Sequence, residues 1–455
     1  MIALVSSGVS DRTLIRDLAW LILSSDCFAR SPAGEIFRYE KGVYAPGGEF
    51  FIRQRVKHLL LELRKAEKWT RKLAREVTEF ILLDTPELET SPSSDFINLE
   101  NGILDVWSGE LLPHSPKVLS TIRIPIAFDA QASCPRIEEF IGEVFPKDST
   151  QLGWEILGDL VTPDRSIQKA ICLVGEGGNG KGVFAQLAVR FVGPSNVSHL
   201  SLQKIEKDRF AVAGLYQKLA NICTDLPSER LEDSSLFKAI TGCDRITGEF
   251  KYQHAFQFTP FARLMFSANH LPTSRDASVA FFDRWLVIPF ETRFRGTSRE
   301  IPRQTLDSNL SSNREISGAL NRALPALRKI RREARFTVTH STHEQWKEFQ
   351  RATNPLSLWL EAETVVSGAA MVGQDELHAA YALACTRAHR PIMTKQMLGR
   401  AFKRLRPDLK EAQRMIGGRR QWVYLGIGMT NRSGELDGER GDSLSLKHVH
   451  ANHSI

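Results

Sequence analysis

AICLVGEGGNGKGVFAQLAVRFV, running from Ala170 to Val192, is the stretch that decides the fold. Its first apolar residues, Ile171 to Val174, read as a buried strand that ends at Gly175. Gly175, Glu176, Gly177, Gly178, Asn179, Gly180 and Lys181 then follow the GxxxxGK spacing of a phosphate-binding loop, and Val183, Phe184, Leu187 and Ala188 share one face of the helix that comes next. Glycines suit the loop because a chain wrapping a triphosphate must aim its backbone N–H groups inward, in conformations that a Cβ obstructs. The helix N-terminus adds free donors and its dipole to the same anion. Residues 175–182 are therefore expected to hold ATP with Mg2+. Gly182 departs from the pattern: it stands where a Ser or Thr hydroxyl ordinarily ligates the metal, and Val183 offers no substitute.

The chain around this loop has 455 residues, too many for one core, and a prior of roughly 150 residues per domain suggests about three domains. A net charge of +7 is mild, yet it suits a polyanionic partner if the positive charge is clustered. The six cysteines are scattered with no CxxC pair, which argues against a zinc site or a disulfide framework and for a reducing cytoplasm. The apolar run from Leu18 to Ser25 is too short to span a bilayer, and no targeting segment or internal repeat is present, so no membrane partner is expected.

Upstream, residues 1–95 read as a helical region interrupted by a small extended patch, EIFRYEKGVYAPGGEF. The basic stretch RQRVKHLLLELRKAEKWTRKLAREV places Val56, Leu59, Leu60 and Leu63 on one helical face and reads as a solvated amphipathic helix rather than a DNA surface. Asp84, Glu87 and Glu89 read as a polar loop, not a metal site. Residues 96–150 read as a small β/α element, in which Asn101-Gly102 and Ser108-Gly109 separate short apolar runs as consecutive hairpins do.

Residues 151–300 form the expected nucleotide domain. GLYQKLANICTDL is a second apolar strand ending in Asp225, a carboxylate at a strand's C-terminal edge that could hold Mg2+ or orient a water. Glu229 is either a second such acid or part of a solvated loop with Glu232 and Asp233. The third strand, Leu264 to Ala268, ends in Asn269, placed to sense a γ-phosphate. Arg284 precedes a fourth strand, where it would pair locally or reach a neighbouring subunit's site. Between these strands, Gly248 to Tyr252 joins a turn, a cation and an aromatic, the combination that tracks a single nucleic-acid strand, with His254 beside it.

Past Phe294 the text turns polar, and residues 301–345 read as a helical linker with Leu320, Leu324 and Leu327 on one face. Residues 346–430 read as three short helices and two strands around a Gly-Gly-Arg-Arg turn, the order of a winged helix. Lys395, Arg400, Lys403 and Arg404 would lie on or near its recognition helix and Arg419 and Arg420 in its wing, meeting phosphates, unless the module docks protein instead. Residues 431–455, with His448, His450 and His453, read as a disordered tail rather than a metal site.

Taken together, GEGGNGK, TDLPSE, FKAITGCDRITGEFKY, FSANHLP and FFDRWLVIPF resemble, in this order and spacing, the superfamily 3 helicase domain of phage and plasmid primase-helicases, related to the poxvirus D-type NTPase. INLENGILDVWSGELLPHS is similar to the region preceding that domain, so the resemblance covers nearly the whole chain. It implies an α/β fold with an AAA+-like P-loop core, assembly into a ring, commonly a hexamer, and translocation along single-stranded or forked DNA with ATP hydrolysed between subunits. By resemblance Lys181 is the Walker A lysine, Asp225 the Walker B acid and metal ligand, Asn269 sensor 1, Arg284 the arginine acting on a neighbour, and Lys251 the hairpin's DNA-contacting lysine, with Tyr252 and His254 next to it. Asp283 stands where many relatives carry a second arginine. Relatives also carry an N-terminal primase or polymerase domain of a few hundred residues, for which this chain has no room, so a separately encoded primase or polymerase is the expected partner. Two further readings remain open at this stage: an ATP-dependent origin or initiator factor without processive unwinding, and an assembly protein whose altered loop has lost hydrolysis.

Overall fold

A computed structural model of the chain describes residues 11–430, apart from 32–33, 89–91, 228, 253, 273, 275, 277, 354 and 389–390. The expected tail at 431–455, and Glu89 of the acidic loop, lie outside the described residues. The chain divides into two compact units, 1–349 and 350–455.

The first unit opens with α1 (Asp11–Ser25), the short strands β1 (Phe28–Arg30), β2 (Ile36–Glu40) and β3 (Val43–Pro46), and the helices α2 (Gly48–Glu62) and α3 (Arg71–Asp84). The β2–β3 hairpin turns through Lys41 and Gly42, both at positive φ, as a two-residue hairpin loop requires. The basic stretch expected to be one helix is two. The chain leaves the helix at Arg64, which has φ +55°, and α3 restarts where Thr70 Oγ1 accepts from Leu73 N at 3.0 Å. Leu18 and Ile22 of α1, Val56 and Leu60 of α2, and Val77 and Ile81 of α3 close a small core of their own. A second small sheet follows, made of β4 (Phe96–Asn98), β5 (Ile103–Asp105) and β6 (Leu111–Leu112), and then α4 (Pro135–Val144) and α5 (Thr150–Leu160).

Next comes the central sheet. Its strands are β7 (Ala170–Val174), β8 (Val197–Ser198), β9 (Ala220–Cys223), β12 (Arg263–Ala268) and β13 (Trp285–Pro289), all parallel, in the order β13-β7-β12-β9-β8. Helices α6 (Lys181–Val192), α7 (Leu202–Lys207), α8 (Ser235–Gly242) and α9 (Val279–Phe282) connect them, and β10 (Ile246–Gly248) pairs with β11 (Phe256–Phe258) as a separate antiparallel hairpin. Alternate residues feed two cores: Ile171, Leu173, Met265 and Ile288 face one, Cys172, Val174, Phe266 and Val287 the other. That is why these strands are mainly apolar instead of alternating with polar residues, with Ser198, Asn221, Arg263 and Ser267 as buried exceptions.

After α10 (Arg303–Asn309) comes α11 (Asn313–Glu333). The expected helical linker is not a linker: α11 buries Leu320, Leu324 and Leu327 in the same core as α5 and α6. Buried Glu155 of α5 is compensated by Lys329 Nζ at 3.0 Å and Thr337 N at 2.9 Å, and Asp159 takes a two-pronged bond from Arg263 at 2.6 and 2.8 Å. Trp346, expected to open the next domain, also belongs to the first unit: its indole donates to Phe282 O at 3.0 Å from α12 (His340–Thr353), within which the chain passes into the second unit.

The second unit holds α13 (Pro355–Glu363), β14 (Thr364–Gly373), α14 (Gln374–Arg387), α15 (Lys395–Leu405), β15 (Lys410–Ile416) and β16 (Arg419–Met429), the strands forming a sheet ordered β14-β16-β15. Gly417 and Gly418, at φ +54° and +77°, make the two-residue turn between β15 and β16. Strand β14 has no counterpart in the sequence reading, because Ser367-Gly368-Ala369-Ala370 breaks its apolar pattern where its register against β16 shifts. No described helix is long and apolar enough to cross a membrane.

Candidate functional site

The parallel register sets the site. Val174 of β7 lies level with Ala268 of β12 and Pro289 of β13, so these three strands end together. Strand β9 stops at Cys223, opposite Phe266, but its chain continues beside β12 with Leu226 N bonded to Ser267 O at 2.9 Å. Asp225 and Asn269 thereby emerge at the same sheet edge as the loop that follows β7, where open α/β sheets bind ligands.

Three glycines in that loop meet a backbone or steric demand. Gly175, Gly178 and Gly180 have φ +151°, +83° and +89°, and an added Cβ would come within 2.3 Å of Phe290 O, 2.5 Å of Arg295 Cβ and 2.5 Å of Val144 Cγ1. The loop is also pinned from outside: Asn179, buried, donates its amide to Phe290 O at 2.6 Å, and Phe294 N and Arg295 N both bond Gly178 O. Lys181 opens α6 and is 6% exposed. Its ammonium donates to Glu176 O at 2.9 Å, to Asn179 Oδ1 at 3.1 Å and to Gly175 O, so its donors are spent on the loop itself. Burial lowers its pKa from the ordinary lysine value, with the nearby Cys172 thiol pulling the other way.

Lys181, Asp225 and Asn269 line one cavity of about 330 Å3, together with Gly177, Gly178, Asn179, Gly180 and Gly182. Its size falls within the range of small-molecule sites. Gly175 and Glu176, also expected at the ligand, are not on its wall; they border a separate crevice with Phe290 and Arg293. Glu229 is elsewhere too, paired with Lys207 Nζ at 3.1 Å, so the loop alternative describes it. Arg284 stands at the opposite end of the sheet, before β13, next to Gln168, Lys169 and Asp283, and the chain does not bring it to Lys181.

The sequence reading missed the side of the cavity formed by Arg295, Arg299, Glu300 and Arg303. Arg299 pairs with Glu143 at 3.2 Å, and Arg303 with Asp307 at 3.2 Å. The signal was an arginine at every fourth position in a segment read only as a polar connection.

The loop between β10 and β11 carries Lys251, Tyr252 and His254, all exposed, with Tyr252 at φ +66°. Its base is fixed by Phe250, Phe256 and Phe258, stacked successively at 5.4 Å, and by Tyr216 against the last two. In the second unit, Lys395 is bonded to Asp375 and Lys403 to Glu411 at 2.8 Å, whereas Arg400, Arg419 and Arg420 are exposed. Among the described residues no group of three or more His, Cys, Asp or Glu could hold a metal.

Comparison with known proteins agrees with this layout. A family model described as D5 N terminal like matches residues 31–146, and one described as a family of unknown function (DUF5906) matches residues 173–284. That succession is the architecture of phage and plasmid primase-helicases. Among solved structures, the apo structure of the NrS-1 C-terminal region is similar over 90% of this chain and 98% of that one, at 10% identity and a TM-score of 0.51, which is a likeness of fold. An A-form apo structure of the same region matches over the same shares at 11% identity and a TM-score of 0.49.

Proposed function

We propose that the chain is an ATP-dependent DNA helicase of a phage, prophage or mobile element, with an AAA+-like P-loop core and a winged-helix second unit, working as a ring, commonly a hexamer, beside a separately encoded primase or polymerase. The observation that carries the reading is the convergence of Lys181, Asp225 and Asn269 on one cavity bounded by a glycine loop and a helix N-terminus. The strand order supports it, since the strand ending in Asn269 lies between the phosphate-loop strand and the one leading to Asp225.

On this reading the N–H groups of residues 177–182 and the start of α6 receive the phosphates, and Lys181 exchanges its loop acceptors for phosphate oxygens. The residues fit Mg2+ as a nucleotide-borne ion, which one carboxylate and phosphate oxygens suffice to hold; of the three carboxylates on the cavity wall, Glu143 is paired with Arg299 and Glu300 accepts from Gly296 N, which leaves Asp225 as the one for the ion. When bound, the ion neutralises charge on the β- and γ-oxygens. Asn269 orients the attacking water. Arg284, remote from its own chain's cavity, serves a neighbour's. The exposed Lys251, Tyr252 and His254 follow a single strand by charge and stacking, and Arg400, Arg419 and Arg420 meet phosphates, with Lys395 and Lys403 doing so once released from their carboxylates.

Steady-state ATPase with and without single-stranded DNA, followed by strand displacement on a forked substrate, tests this. DNA-stimulated turnover with displacement is expected. Turnover without displacement would favour the initiator reading. Gly182 favours a third, non-hydrolysing reading, which nucleotide binding without turnover would support.

A further inference from the structure

Gly182 removes the hydroxyl that would hold the metal, and the structure places a different group beside it. Leaving aside the neighbouring Lys181 and Val183 and the helix's own backbone, the one atom among the described residues within 4 Å of where a Cβ at 182 would sit is Arg303 Nη1, at 3.9 Å. That guanidinium is held from two sides. Its Nε bonds both carboxylate oxygens of Asp307 at 3.2 Å, and its Nη2 donates to Gln186 Oε1, one turn along α6 from Gly182. Helix α10 is itself fastened to α6 by Arg190 Nη1 donating to Asp307 O at 3.2 Å. Among the described residues Nη1 has no hydrogen-bond partner and is the free end of a braced fork, at the wall of the cavity that Lys181 and Asp225 also line.

Resting on the nucleotide-site reading, we propose that Arg303 is a phosphate-binding residue of the same subunit, whose Nη1 supplies at the triphosphate part of the positive charge that a hydroxyl-anchored Mg2+ supplies elsewhere. A guanidinium suits the place because it remains charged at any working pH and offers donors in a fixed plane to phosphate oxygens. A Cβ at 182 would meet Nη1 at ordinary van der Waals distance, so Arg303 stands next to the place that a Ser or Thr side chain would occupy. The nucleotide's affinity should then depend less on the metal than a hydroxyl-anchored site would require.

The test is binding, read separately from turnover. A fluorescent ATP analogue is titrated by anisotropy into the full chain, once with Mg2+ and once with EDTA, for the wild type, Arg303→Gln, Arg303→Lys and Lys181→Ala. The wild type is expected to keep measurable affinity in EDTA. Arg303→Gln should lose roughly tenfold or more in EDTA, the worth of one charge-assisted hydrogen bond, and less when Mg2+ is present. Arg303→Lys should recover part of the loss, since it keeps the charge but not the fork. Arg303 is exposed, so melting temperatures should stay at the wild-type value and exclude a folding defect. Binding by Arg303→Gln within twofold of wild type in both buffers, or wild-type binding abolished outright by EDTA, overturns the proposal and leaves the nucleotide site standing. Failure of the wild type to bind in either buffer, or undiminished binding by Lys181→Ala, overturns the nucleotide-site reading itself.

Discussion

At the scale of single residues the loop after β7 is the most constrained part of the chain. Gly178 has φ +83°, and its Cα faces Arg295 Cβ at a range no methyl can share. Gly178→Ala is expected to cost about 1–2 kcal/mol from the backbone conformation alone, before the displacement of Arg295. It should therefore weaken nucleotide binding while leaving the second unit's fold unchanged by circular dichroism. Lys181→Ala should abolish ATP turnover, because the loop loses the cation its own carbonyls hold ready. Asp276 gives a pH-dependent case. Desolvation works against its ionisation, but Lys238 at 2.8 Å and hydrogen bonds from Ser234 and Ser278 hold its pKa well below the usual carboxylate range. A carboxylate depressed in the folded state stabilises above its unfolded pKa of about 4, and that contribution fades as pH falls toward the folded value. Asp276→Asn should lower stability at neutral pH by about 1 kcal/mol and flatten the acid limb of the stability profile below about pH 4. An unaltered acid limb would show that the ionisation of Asp276 does not couple to folding.

Elements differed in how far the sequence revealed them, and the physical reasons are specific. Strand β7, its loop and α6 were legible because apolar run, glycine spacing and helical face coincide within 23 residues, Ala170 to Val192. Asp225 and Asn269 were legible as polar residues ending apolar strands. Their meeting with Lys181 was expected from the strand-end pattern and the resemblance, whereas the β13-β7-β12-β9-β8 order that brings them together is set by long-range packing and is not written in any one stretch. The arginines at 295, 299 and 303 were missed because exposed charge between elements reads as solvated loop, whatever cavity it borders. Helix α11 was read as a connector although its leucines had the correct spacing, because an amphipathic stripe does not name the surface it covers. The β10–β11 hairpin yields a prediction at this scale. Lys251→Ala should weaken single-strand binding with a shallower salt dependence, because one phosphate contact is lost while the stacked phenylalanines still hold the loop. An unchanged salt slope would remove the hairpin from the strand's path.

For the whole molecule the decisive fact is the distance between the two ends of the central sheet. Lys181 follows the C-terminal end of β7 and Arg284 precedes β13, so about 15–20 Å of strand separates them at about 3.3 Å per residue. On the proposed reading Arg284→Ala should bind ATP normally but hydrolyse it slowly. Mixing Arg284→Ala with Lys181→Ala protein, each impaired alone, should restore part of the rate, because the second lends its arginine to the first. No recovery despite demonstrated subunit exchange, or full activity in dilute monomer, would rule out action across an interface.

All five strands of the sheet run in one direction, and this reaches beyond catalysis. On the proposed reading, a subunit that receives at one sheet end and donates at the other joins its copies head to tail rather than face to face across a twofold axis. Such a closed assembly has two unlike rims.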